Sequence, residues 1–176
     1  MTSAVTPSVQ APEAALRRRR KSQGGNALVE GALTLLPLLA VGFALLDFPL
    51  ALFIQNTLQG AVREGVRFAI TQQTGTNGQD AAIEAVVLQY SMGFLTTAAI
   101  TAGTSSFSIT YYNPNSSLST PVTGTGSNSQ GNICVVSATI RHAFMAPVWQ
   151  TTGLIPFSAA SSDMMEAPPN GVLPSR

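Results

Sequence analysis

The hydrophobic pattern of this chain changes twice, and each change marks a different kind of structure. Residues 31–54 form an apolar run in which Asp47 is the only charged residue. A helix needs roughly 20 apolar residues to cross the hydrocarbon core of a bilayer, so this run predicts a membrane-spanning helix. From Ile54 to Ile70 the apolar residues recur along one helical stripe, which predicts a helix with one packed face. Together the two patterns predict one helix from about Asn26 to about Gln72.

The pattern changes again after this helix. Residues 80–92 predict a second helix, which Gly93 would end. Apolar and polar residues then alternate, which predicts three strands, near residues 106–111, 132–144 and 157–165. The Ser/Thr/Gly-rich segment 113–131 predicts a loop that is mobile or surface-exposed. The expected fold class is therefore α+β: a long N-terminal hydrophobic, transmembrane helix followed by a small head of one or two helices packed on a short antiparallel sheet.

The charge distribution predicts how the chain is oriented. The net charge is only +1, but five of the nine Lys and Arg residues lie in Arg17–Lys21, just before the apolar run. Positive residues stay on the cytoplasmic side of a membrane, so we expect a cytoplasmic N-terminus. The expected parts are a basic leader at 1–25, a helix in contact with membrane lipid at 26–72, and an extracytoplasmic head at 73–176. In this position the basic run is a topology signal, so no nucleic-acid partner is expected.

Two features separate the basic run from the apolar segment: the glycine pair Gly24–Gly25 and the acid Glu30. A carboxylate in hydrocarbon is costly unless a counter-charge is supplied. Cleavage of the peptide bond after Gly25 would supply one, as the new amine of Asn26. Two simpler interpretations stay open. The glycines are a flexible linker before a signal anchor, or Glu30 is an interfacial acid favoured by the positive end of the helix dipole.

Several stretches of this region carry a resemblance to a known family. They are Val29–Leu33, Leu36–Leu39, Asp47–Pro49 and Ala61–Ala69. These stretches resemble the TadE-like proteins, which are minor pilins or pseudopilins of the tight-adherence (Flp) type IV pilus system. Gly31 departs from the pattern, since an aromatic residue often follows the glutamate, and so does Pro49, where glycine is usual. The resemblance implies removal of the leader by a prepilin-type peptidase and assembly with other pilin and pilus-assembly subunits.

The other charged residues of the predicted helix each allow two interpretations. Asp47 lies at the outer membrane boundary or pairs with another subunit. Arg63, Glu64 and Arg67 lie on a solvated face or on the face that packs on the head. Glu64 and Arg67 are also spaced for a weak i,i+3 ion pair.

The sequence indicates no catalytic chemistry. Cys134 is the only cysteine and His142 the only histidine, so the chain alone cannot form an intramolecular disulfide or a Cys/His zinc site. We expect no enzymatic activity, no cofactor and no metal. The expected function is that of a minor pilin or pseudopilin in assembly of a tight-adherence pilus, which supports surface attachment or biofilm formation. The alternative is a signal-anchored, single-span binding or adhesin module that is not processed.

Overall fold

The computed structural model describes residues 13–116, 118–144 and 153–176, with side chains from Gly25 onward within these ranges. The chain divides into two compact units, one that ends at Phe43 and one formed by Ala44–Arg176, which we call the head unit. The elements of the described chain, in order, are α1 (Glu13–Ile70), α2 (Gln79–Tyr90), α3 (Thr97–Thr101), β1 (Ser106–Tyr112), β2 (Ile133–His142) and β3 (Ile155–Met164). Residues 44–70 of α1 therefore belong to the head unit.

Helix α1 is longer than predicted at its N-terminal end. It begins at Glu13, inside the expected leader, and not near Asn26. The physical reason is composition, because residues 13–23 are mainly Glu, Ala, Leu, Arg, Lys and Gln, which all favour helix. The side chains of the basic run lie outside the described residues. At its other end α1 stops near the predicted position, where Gln72 adopts a left-handed conformation with φ of 56°.

The head unit contains a three-stranded antiparallel sheet with β2 in the centre. Val136 of β2 lies opposite Ile109 of β1 and Ser161 of β3. Alternate residues of β2 are buried, as the period of two predicted. The other face is covered largely by small hydroxyl residues, and two cross-strand pairs bond there, Ser108 with Ser137 and Thr139 with Ser158.

Helices α1 and α2 pack on the buried face of this sheet. The core contains one apolar stripe of α1, two residues of α2 and the inward side chains of β2. Gln55 of α1 donates a hydrogen bond to the carbonyl of Ser158 near the start of β3 (3.1 Å). The amide of Glu166, just after β3, donates to the carbonyl of Ile70 (3.1 Å). The head part of α1 therefore runs alongside β3 in the same direction.

The α+β class, the second helix and the three strands are confirmed. The short helix α3 was not predicted, because five residues are too few to show a helical period. The prediction of a mobile or surface loop at 113–131 is wrong for its C-terminal part. Ser127 and Asn128 are 0% and 1% exposed, because they are hydrogen-bonded inside the head unit.

Candidate functional site

Gly25, Asn26 and Glu30 lie on an exposed part of α1. Asn26 and Glu30 are four residues apart, so their side chains lie on the same side of the helix. The Glu30 carboxylate forms no ion pair or hydrogen bond with any residue that the structure describes. A Cβ atom placed on Gly25 would meet nothing within 4 Å. The space around Gly25 is therefore open within the described part of the chain, although the Gly25–Asn26 peptide bond lies inside α1, and Glu30 has no counter-charge among the described residues.

The helix that follows Glu30 exposes apolar side chains around its whole circumference. Leu28, Leu33, Leu36 and Leu38 are 67–76% exposed. A helix that is apolar on all sides is normally surrounded by lipid or by other protein. Within the described ranges, the segment Gly25–Ile70 is the one helical stretch long and apolar enough to cross a membrane.

Asp47 lies in the head unit and is 4% exposed. It lines an open groove of about 400 Å³ whose other walls are apolar: Ala44, Phe48, Ala51, Phe144, Ile155 and Phe157. The carboxyl group is thus enclosed by the head unit and does not project from an exposed helix surface. Its assignment to the outer membrane boundary, or to a pair with another subunit, stays a prediction.

The charged residues near the end of α1 face away from the core. Arg63 and Arg67 are exposed, and Glu64 is half-buried. Glu64 and Arg67 do not form the ion pair that their spacing allowed, since Arg176–Asp80 is the ion pair found among the described residues. A shallow groove of about 430 Å³ lies beside Glu64 and Arg67. Packing on the head is carried instead by Gly65 and Val66, which lie between these charges and are buried.

At Gly65, α1 packs directly against side chains of α2. A Cβ atom at this position would overlap Val87 Cγ2 and would also touch Ile83 and Val136, each at 3.6 Å. Only glycine leaves room for this contact without displacing α2. The sequence contained the signal, because Gly65 lies in the Ala61–Ala69 motif, but the motif alone did not reveal that its glycine serves helix packing.

A buried amide network ties the end of α1 to the rest of the head unit. Gln72 Nε2 donates to the carbonyls of Asn128 (2.8 Å) and Glu166 (3.2 Å). Asn128 Nδ2 donates to Gln79 Oε1 (2.6 Å) and to the carbonyl of Pro174 (3.0 Å). Gln79 Nε2 completes the network by donating to the carbonyl of Ala69 (3.0 Å). Buried amides need such partners, so the network joins both helices, the 113–131 segment and the C-terminal residues.

Arg176 joins this region through its side chain. Its guanidinium pairs with Asp80 Oδ2 (Nη2 to Oδ2, 2.8 Å), donates to Ser127 Oγ (2.6 Å), and lies 4.7 Å from the centre of the Tyr111 ring. Tyr111 Oη donates to Asp80 Oδ1 (2.9 Å). No pattern in the sequence predicted either this cluster or the amide network, because each depends on residues far apart in the chain.

Two groups of this region have perturbed acidities. Burial is the main cause that raises the pKa of the Cys134 thiol to about 12, and the nearby Asp80 carboxylate adds to the effect. Burial also raises the pKa of Tyr111 well above its ordinary value. Both groups are therefore neutral near pH 7, and neither is an activated nucleophile. Among the described residues, no three His, Cys, Asp or Glu side chains are grouped so that they could hold a metal ion.

Comparison with known proteins gives one match. The model of the family described as TadE-like protein matches residues 25–67. No curated protein and no solved structure matches this chain. The family indicates a protein associated with the tight-adherence pilus system, and the exposed apolar helix supports a single-pass membrane anchor. The predicted resemblance to TadE-like proteins is thus confirmed over residues 25–67, the segment that contains Gly25, Glu30 and Gly65.

Proposed function

We propose that this chain is a minor pilin or pseudopilin that takes part in assembly of a tight-adherence pilus and so supports surface attachment or biofilm formation. The observation that carries the proposal is the placement of Glu30. It is a solvent-exposed acid with no partner among the described residues, five residues after Gly25, in a part of α1 whose surface is otherwise largely apolar. A role of this kind is structural and requires no enzymatic activity.

Processing by a prepilin-type peptidase is the first step of this proposal. Helix α1 passes through Gly24 and Gly25, so the enzyme must unwind the helix to reach the peptide bond. Each glycine in a helix interior costs roughly 0.5–1 kcal/mol relative to alanine, which weakens the helix at this turn. Cleavage after Gly25 leaves an amine on Asn26.

The Glu30 carboxylate is then paired with an Asn26 amine, on the same or a neighbouring subunit. In a low-dielectric surrounding an unpaired charge is strongly disfavoured. A shift of one helix past the next by a turn would leave both charges unpaired. The pair would therefore set the axial register between subunits during assembly.

In this proposal the protein lies in the bacterial cytoplasmic membrane with residues 73–176 outside. This orientation is supported by the basic run Arg17–Lys21 on one side of the apolar segment. Protease added to spheroplasts should degrade the head. Protection of the head would reverse the orientation and contradict the pilin role.

A second function is favoured by the continuity of α1 through the glycine pair, which is the backbone that a permanent anchor needs. In that case the protein is a signal-anchored binding or adhesin module that keeps its leader. The intact mass of the protein from cells with the pilus machinery separates the two functions.

The pilin role requires a chain that begins at Asn26. Gly25→Leu should retain the leader, since the peptidase must approach this bond closely. Gly42→Leu is the matched control, because Gly42 lies in the same helix with equally open surroundings, and it should be processed normally. A full-length chain in cells that process other prepilins would establish the adhesin alternative.

A further inference from the structure

A line of ring side chains crosses one end of the head unit. Phe53 of α1 contacts Phe94, and Phe94 contacts His142 at the end of β2, with ring centres 5.9 and 6.4 Å apart. His142 in turn contacts Phe144, and Phe144 contacts Phe157 near the start of β3, at 5.4 and 5.9 Å. We call these five residues the aromatic end. They join α1, the segment after α2, β2 and β3.

The aromatic end is also where α1 enters the head unit. Phe48 and Leu52, which precede Phe53 on α1, are 66% and 50% exposed. The opposite end of the sheet is marked by Met164, the last residue of β3. Along the nine steps from Ile155 to Met164 the two ends are separated by about 30 Å, at about 3.3 Å per residue.

The turn between α2 and α3 presents a further apolar residue at this end. Met92 is 72% exposed and has a φ of 53°, a left-handed conformation that costs about 1–2 kcal/mol for a residue other than glycine. Ser91, which is buried, holds the turn by donating to the carbonyl of Leu88 (2.7 Å) and by accepting a bond from the amide of Leu95 (3.3 Å). The turn is therefore built to hold Met92 outward.

An apolar groove opens at the same end. It is the groove of about 400 Å³ that Phe48, Phe144, Ile155 and Phe157 line. Phe53, and Met92 two residues before the contacting Phe94, add exposed apolar side chains at this end. Exposed apolar residues that cluster in this way are rare on soluble surfaces. Arg141, which is exposed, precedes His142 and adds a positive charge beside this surface.

We propose that the aromatic end is a lipid-contacting surface, where the exposed side chains of Met92, Phe48 and Phe53 lie in the interfacial layer of the bilayer. Phe94, Phe144 and Phe157 are packed behind them. This rests on the membrane anchoring in the proposed function. Lipid is the occupant because the surface continues directly into the exposed apolar side of α1. Aromatic side chains also favour the membrane–water interface, and an adjacent arginine suits anionic headgroups. The head is thereby held against the membrane by its own side chains as well as by the helix.

The experiment compares two exposed methionines at opposite ends of the head unit. A nitroxide label is placed at Met92→Cys or Met164→Cys in the full chain, reconstituted in nanodiscs of phosphatidylcholine and phosphatidylglycerol. The native Cys134 is fully buried with a pKa raised to about 12, so the unsubstituted protein serves as the unlabelled blank. Relaxation of each label by oxygen and by a water-soluble nickel chelate then reports its depth.

At Met92 we expect collisions with oxygen to exceed those with nickel by several-fold, and at Met164 we expect the reverse. Equal nickel access at both positions would overturn the proposal and leave the anchoring intact. Protection at Met92 that appears only with two or more copies per disc would assign the surface to a second copy, which also overturns it. A chain that does not enter the discs would contradict the proposed membrane anchoring itself, which is a different failure.

Discussion

The helix of residues 25–43 and the head unit differ in how their apolar side chains are exposed and their polar side chains are paired. The helix exposes nearly all of its apolar residues, and its Glu30 carboxylate has no partner among the residues that the structure describes. The head unit buries its apolar residues and pairs buried amides such as Asn128 and Gln79 with each other. In the proposed function the first region is surrounded by membrane and neighbouring subunits, whereas the buried amides of the second bond to other described residues of the head unit.

This difference explains where the family match ends. Residues 25–67 match the TadE-like family, and most of the head lies outside the match. In the proposed function, contacts with lipid, a peptidase and other subunits would restrict the residues of this helix. A head that satisfies its own core can keep its stability with many different residues. The comparison can be tested by substitutions that act on one region and leave the other unchanged.

The largest expected effect is on assembly through Glu30. Glu30→Gln removes the charge proposed to pair with the Asn26 amine, and we expect pilus incorporation to fall about tenfold or more, because a lost pair of about 1.4 kcal/mol is a tenfold change. Folding of the head should be unaffected, since Glu30 lies outside the head unit. Surface pili and co-purified subunits are the measurement.

Glu64→Gln is the matched control for that experiment. Glu64 is also on α1 and makes no ion pair among the described residues, but it lies in the head unit. Piliation should stay near the wild-type level. Normal piliation with Glu30→Gln as well would mean that the acid is only an interfacial residue of α1.

The next effect is on the head alone. Gly65→Val should destabilise the head unit by about 1–3 kcal/mol, because the new side chain overlaps Val87 in a packed interface. Gly60→Ala on the same helix meets nothing within 4 Å and should stabilise by about 0.5–1 kcal/mol through helix propensity. Chemical denaturation followed by circular dichroism in nanodiscs measures both. Equal effects at the two positions would show that Gly65 does not serve packing.

Gly65 also shows how much of the fold could be predicted from the sequence. Periodicity predicted α2 and all three strands, because burial of alternate residues such as Cys134 and Val136 requires that pattern. The motif at residues 61–69 pointed to a family, but the contact between Gly65 and Val87 depends on how α2 folds back. A local sequence pattern therefore does not predict the distance between Gly65 and Val87.

Polar burial was the part that the sequence could not predict. The 113–131 segment has the composition of a surface loop, yet Asn128 is buried in the amide network. Its partners Gln79 and Gln72 are about 50 residues away, so only the tertiary structure brings the three amides together. The same is true of Arg176 and Asp80.

The Arg176–Asp80 pair should contribute a smaller amount than Gly65. Both side chains are about 30% exposed, so solvent screens the pair, and the expected coupling is about 0.5–1 kcal/mol. A double-mutant cycle of Arg176→Ala and Asp80→Asn, measured as free energies of unfolding, gives this value directly. Arg63→Ala is the control, because Arg63 is exposed and forms no ion pair with the described residues. Its expected change is near zero.

The last prediction concerns the pH dependence of stability that the buried Cys134 thiol and Tyr111 phenol cause, which is smallest near neutral pH. The pKa of Cys134 is raised from its ordinary value of 9.0 to about 12 in the folded chain, mainly by burial, and that of Tyr111 is also raised. The folded state therefore holds these protons more tightly than the unfolded state does. Their contribution to stability is fully present below pH 9 and is lost as the pH rises through the folded value.

We therefore expect these two groups to cause no pH dependence of the free energy of unfolding near pH 7 and a fall in it between pH 9 and 12. Cys134→Ala should reduce the slope in that window, because the alanine has no proton to lose. Tyr111 would continue to contribute in the variant. Denaturation midpoints measured at pH 7, 9 and 10.5 check the sign. A stability that rises above pH 9 would mean that the thiol ionises more easily in the folded head than in the unfolded chain.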